Sequence, residues 1–162
     1  MPKLESTRYT VLFATAVSVV CALLVATAAV GLRARQEANA LIYKQKNVLL
    51  AAGLIQPGES TSRDELLAIF DKRIRVRGVD LKTGRLVPEG EFDAAAFDQR
   101  RARNDPAQSR AAPLNDAQVA RLPLRGLVYE VLGADGKVEQ LVLPIEGMGM
   151  WGTVYGFLSM DR

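Results

Sequence analysis

From Thr10 to Leu32 the chain runs for 23 residues without a charge, most of them Val, Ala and Leu. At about 1.5 Å of rise per residue such a run reaches roughly 34 Å as a helix, enough for a hydrocarbon core of about 30 Å. Inside that core a single segment satisfies its own backbone groups only as a helix. Lys3 and Arg8 precede the run and Arg33 and Arg35 follow it, so charges bracket a predicted membrane span. A cleaved signal peptide is the alternative, with Ala26-Thr27-Ala28 as a small-residue cleavage site. The apolar run is longer than the roughly 7–15 residues of a signal core, and the helical pattern continues past the cut, which favours the anchor.

Beyond the span, Ala38, Leu41, Ile42, Val48, Leu49 and Ala52 recur at helical spacing, while Arg35, Glu37, Lys44 and Lys46 lie largely elsewhere. Gly53 and then Pro57-Gly58 supply a stop, which predicts a stalk over 33–56. Ser62 with Glu65 reads as a capping box opening a short helix through Leu66, Leu67, Ile69 and Phe70. Arg73-Ile74-Arg75-Val76-Arg77 then alternates charged and apolar residues, the pattern of a half-buried strand. Its three arginines are expected on one exposed face, as a solvated surface or as a site for phosphate or anionic lipid. Lys82-Thr83-Gly84 is turn chemistry. The stretch from Pro88 to Pro113 is polar, with one short helix expected at Ala94–Phe97 and a solvent-facing arginine group at Arg100, Arg101, Arg103 and Arg110. Asn115-Asp116 is expected to cap one more helical turn. Strands are predicted at Leu127–Leu132 and Val138–Ile145, joined by Gly133-Ala134-Asp135-Gly136, and a third at Trp151–Met160.

Composition narrows the chemistry. The net charge is +3, from 21 basic and 18 acidic residues that are well mixed, so no dense basic face for nucleic acid is expected. There is no histidine, and the single cysteine, Cys21, lies inside the span. The soluble part therefore lacks disulfides, thiolate metal sites and histidine-based activation of a nucleophile. Glu130, Glu139 and Glu146 fall among the strands, and their spacing marks no general acid/base pair. The basic residues on the two sides of the span leave its orientation open, because long domains translocate largely regardless of charge.

Gly147-Met148-Gly149-Met150-Trp151-Gly152 matches G-x-G-x-x-G literally and follows a predicted strand. A dinucleotide fingerprint needs a helix opening at the third glycine and an acidic residue about 20 positions on. Thr153-Val154-Tyr155-Gly156-Phe157 is a poor helix start. The glycines are instead expected to permit a tight turn, with a bulge or a close approach of backbone to something flat.

Two stretches together carry a resemblance. One is Val20–Leu32 followed by Gln36-Glu37-Ala38-Asn39 and Lys46–Leu54. The other is Leu143–Leu158, with its glycine-tryptophan signature. In order and spacing they resemble the C-subunit of the Na⁺-translocating NADH:quinone reductase, end to end along the chain. The resemblance implies a bacterial inner-membrane subunit with one span and a periplasmic domain that carries covalent FMN. It further implies electrons passing from NADH toward ubiquinone, coupled to sodium export by a multi-subunit translocase.

On that reading the fold is α+β. Residues 1–9 form a cytoplasmic tail and 10–32 the transmembrane helix. A helical stalk occupies 33–56, and 57–162 is the N-terminal part of a periplasmic FMN-binding domain with antiparallel strands. The family's Ser/Thr-Gly-Ala-Thr attachment motif does not occur in the 162 residues, so no attachment threonine is assigned. The sequence is expected to be a truncated product or fragment, incompletely packed and, as an isolated chain, inactive. Trp151, Gly149 and Gly152 are the residues expected beside the flavin, since an indole packs against a flat ring and glycine admits backbone; Trp151 in the domain core is the alternative. Expected partners are the other subunits of the complex and the lipid bilayer. Two further readings stand beside this one: the FMN subunit of the related ferredoxin-coupled complex, and a non-enzymatic membrane-tethered assembly or sensor domain.

Overall fold

The computed structural model describes residues 7–161. Lys3 and the start of the predicted tail, and Arg162 at the other end, lie outside the described residues. The predicted span and the periodic stretch after it form one helix, α1 (Thr7–Ala51), which is long and apolar enough to cross a membrane. It stops where a residue without a Cβ is needed: Gly53 takes φ +69°, and the Gly53 and Leu54 amides donate back to Leu50 and Leu49 carbonyls at 3.1 and 3.0 Å. The described chain divides into two compact units, one ending at Tyr43 and the other beginning at Lys44. The last two turns of α1 thus belong to the second unit, where Val48 and Leu49 are fully buried.

Ser62 caps α2 (Arg63–Arg73), its Oγ accepting the Glu65 amide at 3.3 Å. Leu66 and Phe70, one helical turn apart, are its buried residues. The chain turns directly into β1 (Ile74–Asp80). Two expectations fail in the next stretch. Ala94–Phe97 makes a single turn and no helix: Asp93 Oδ1 accepts the amides of Ala95 and Ala96 at 3.1 and 3.0 Å, and the turn is not continued. The helix begins later, where Asp98 caps α3 (Gln99–Asn104) by accepting the amides of Arg100 and Arg101. Asn115 likewise closes a loop on itself, bonding Pro113 and Val119, and caps no helix. On either side of that loop, β2 (Ser109–Ala111) and β3 (Arg121–Pro123) make a small two-stranded sheet that the sequence pattern does not predict.

The main sheet follows with β4 (Arg125–Leu132), β5 (Val138–Gly149) and β6 (Gly152–Asp161), in the order β1-β4-β5-β6, all neighbours antiparallel. Gly133–Gly136 joins β4 to β5 as expected, with Gly136 at φ +76°. Register places Val76, Tyr129, Val142 and Ser159 in one row and Arg75, Glu130, Leu141 and Met160 in the next, so the two rows face opposite ways. The Tyr129 face is the covered one. Lys44 Nζ from the end of α1 lies 5.9 Å from the Tyr129 ring centre, and Phe157 meets that ring edge-on at 6.0 Å.

The predicted arginine strip resolves into separate ion pairs. Arg73 ends α2, donating to the Leu132 carbonyl and lying 3.8 Å from Glu139. Arg75 pairs with Glu130 at 3.7 Å and Arg77 with Glu89 at 2.7 Å. Each guanidinium lies within 4 Å of a carboxylate, the arrangement of a solvated, charge-paired surface.

Candidate functional site

The glycine-tryptophan stretch forms the far end of a long hairpin. β5 and β6 pair without a break from Gln140↔Asp161 to Gly149↔Gly152, and only Met150 and Trp151 lie in the turn. Gly152 takes φ +140°, a conformation side chains disfavour. A Cβ on Gly149 would stand 2.6 Å from Val154 Cγ2. Both glycines are therefore accounted for by the turn itself, as the sequence pattern predicts. At the third, Gly147, a Cβ would meet the Ala117 methyl at an ordinary 3.7 Å, and the neighbouring Met148 amide donates to the Ala117 carbonyl at 2.8 Å.

Trp151 is 97% exposed and Met150 91%. Among the described residues nothing packs over this two-residue turn, so Trp151 is no part of their core. Met148 and Val154 beside it are also more than half exposed. Within the turn and the three residues on each side of it there is no charged residue, and Glu146 is the nearest before it. Apolar surface of this kind fits a flat, uncharged ring, and it offers nothing to a phosphate.

The outer part of this hairpin stands on its own. β5 pairs with β4 only as far as Tyr129↔Val142; from Leu143 to Gly149 its sole ladder partner among the described residues is β6. Pro144, which has no N–H to give, lies just past the last β4 pair. Where β4 and β5 part, the Leu127 amide is taken by a side chain instead, Gln99 Oε1 at 2.9 Å. Gln99 opens α3, so that short helix is bonded into the fork between the strands.

From there α3 reaches the hairpin. Arg103 Nη1 donates to Glu146 Oε2 at 2.8 Å and its Nη2 to the Tyr155 hydroxyl at 3.2 Å. Glu146 and Tyr155 are opposite one another in the ladder. Arg100 lays its guanidinium 3.7 Å from the centre of the Tyr155 ring. The Arg103 and Glu146 side chains are 17% and 18% exposed. Partial burial pulls the Arg103 pKa down, but the bond and charge of Glu146 and the contact with Tyr155 outweigh it, and the net shift is upward. The sequence pattern assigns Arg100 and Arg103 to a solvent-facing group and Glu146 to an ordinary strand face. Nothing local signals their meeting, since 43 residues separate Arg103 from Glu146.

No family model matches the chain. It is 40% identical over 162 residues to the C-subunit of the Na(+)-translocating NADH-quinone reductase of Pseudomonas aeruginosa, covering 99% of this chain and 60% of that protein. Against the corresponding C-subunit of Vibrio anguillarum it is 38% identical over 159 residues, covering 97% of this chain and 58% of the relative. The chain therefore spans about three fifths of the length of these curated relatives. A crystal structure of Shewanella oneidensis NqrC superposes with a TM-score of 0.65 at 26% identity, over 76% of this chain and 54% of that one. Sequence likeness along nearly the whole chain, with a matching fold, means that the chain belongs to the NqrC family, the C-subunits of the Na⁺-translocating NADH-quinone reductase.

Proposed function

We propose that the chain is part of the flavin-bearing subunit of a sodium-translocating NADH:ubiquinone oxidoreductase, a subunit that carries electrons between the others while sodium is exported from cytoplasm to periplasm. The observation that carries the reading is the likeness to NqrC over 97–99% of the chain. In this reading α1 anchors the protein in the bacterial inner membrane and the sheet domain lies in the periplasm. NADH is oxidised elsewhere in the complex, consistent with Gly152 opening a strand where a dinucleotide-binding helix would start.

FMN, when bound, supplies one-electron chemistry. The residues of this chain assigned to it are those of the hairpin tip: Trp151 against the ring, with Gly149 and Gly152 keeping the turn narrow. Bare apolar side chains there exclude water from one face of the ring without placing a charge beside it. The test is the complex isolated from its native membrane with Trp151→Ala in this subunit. A changed flavin emission and potential is the expected result. Unchanged emission and potential would remove the tip from the flavin. A 17.6 kDa subunit with no flavin at all would overturn the electron-transfer role.

A further inference from the structure

An isolated two-stranded hairpin is at best marginally stable in water. Among the described residues the ribbon of Leu143–Gly149 and Gly152–Leu158 has no third strand, since β4 pairs no further than Val142, and only Phe157 at its base meets β4 through the Tyr129 ring. Two cross-connections reach it near its end: the Met148–Ala117 backbone bond, and the bonds and ring contacts from α3. We infer that Arg103, with Arg100, is a positioning residue that clamps the ribbon and so fixes where its tip, and with it Trp151, is presented. The inference rests on the flavin reading above for its purpose and on geometry alone for the clamp.

The geometry suits that task. One guanidinium forks across both members of a directly opposed pair, Glu146 on β5 and Tyr155 on β6, so it ties the two strands to each other as well as to α3. The bond to Glu146 joins two charged groups that are mostly withdrawn from water, the situation in which such a bond is strongest. Arg100 covers the Tyr155 ring, leaving the hydroxyl to accept from Arg103. Behind them α3 is itself held: Ala102 is 3% exposed, and Gln99 bonds β4. A line of contacts thus runs from the central strand, through a six-residue helix, to a point near the end of β5. A lysine in place of Arg103 would keep the charge and lose the fork.

The test uses the full chain in lipid nanodiscs with Arg103→Gln, followed by hydrogen exchange of peptides covering 143–158. Exchange there is expected to rise roughly tenfold or more while β1 and β4 keep their protection. The reversed pair Arg103→Glu with Glu146→Arg is expected to restore most of it. Tyr155→Phe, which removes one hydroxyl and keeps the ring, is expected to give a smaller rise. If Arg103→Gln leaves ribbon exchange unchanged, or loosens β1 and β4 equally, the clamp is wrong. Emission of the native flavin in the whole complex carrying Arg103→Gln separates the two readings. A loosened ribbon with shifted emission supports positioning. A loosened ribbon with unshifted emission overturns it, and shows that the tip does not meet the flavin.

Discussion

Asp80, Asp105 and Asp135 each sit at the start of a turn and accept amides from residues just ahead. Asp80 takes those of Thr83 and Lys82, Asp105 that of Ala107, and Asp135 that of Lys137. These bonds favour the charged carboxylate, and all three pKa values lie below the usual range, with the backbone bond as the largest cause in each. A folded pKa below the unfolded one stabilises the fold above the unfolded value of about 3.9, and the benefit is lost as pH falls through the folded value. The sheet domain is therefore expected to melt at an unchanged temperature from about pH 7 to about pH 5 and at a lower one near pH 3. Thermal melts across that range check it, and Asp80→Asn with Asp105→Asn should flatten the acid side of the profile. Tyr129 shows the opposite sign: burial pushes its phenol up.

At the scale of elements, the sheet of the described residues has one unguarded edge. β6 is last in the strand order, and its ten residues hold no proline and no charge before Asp161. Natural edges are usually blunted by such residues. On the face away from α3, Ile145, Val154, Leu158 and Met160 are between 44% and 63% exposed, so apolar side chains line the free edge. Leu158→Lys is expected to lower concentration-dependent association of the detergent-solubilised chain with no change in its helix content. Light scattering read beside far-UV circular dichroism measures both, and equal association by the two proteins would show that the edge is not the contact. The ribbon of β5 and β6 is a different matter, since its stability is lent by α3 and not by the ladder alone.

For the molecule as a whole, the division after Tyr43 means that the end of α1 is part of the sheet domain's core. Val48 and Leu49 have no exposed surface, and Ala52 and Ile55 just beyond are 8% and 6% exposed. Leu49→Ala is expected to destabilise the domain by about 2–5 kcal/mol, the range for emptying a well-packed core position. The matching change at Leu24, 66% exposed within the predicted span, is expected to leave the domain's melt where it was. Urea unfolding followed by a probe on the sheet distinguishes them, and equal effects would show that residues before Lys44 share the same core.

The sequence by itself determined what depends on short-range pattern. An uncharged run of 23 residues demands a helix, Ser62 caps α2, Asp135-Gly136 closes a hairpin, and Gly149 and Gly152 make a turn. In each case neighbours in the chain supply the physics. The family, too, was legible in two local stretches. Tertiary structure decided the rest. Ala94–Phe97 falls outside that division: Asp93 and Asp98, both its near neighbours in the chain, make the turn there and start the helix later. Trp151 could have been core or surface, and among the described residues the length of the hairpin beyond β4 leaves it bare. Arg103 meets Glu146 and Tyr155 because the sheet splits after Val142 and α3 enters the gap. No periodicity encodes that meeting, since it joins residues 43 and 52 positions apart through the path of the whole domain.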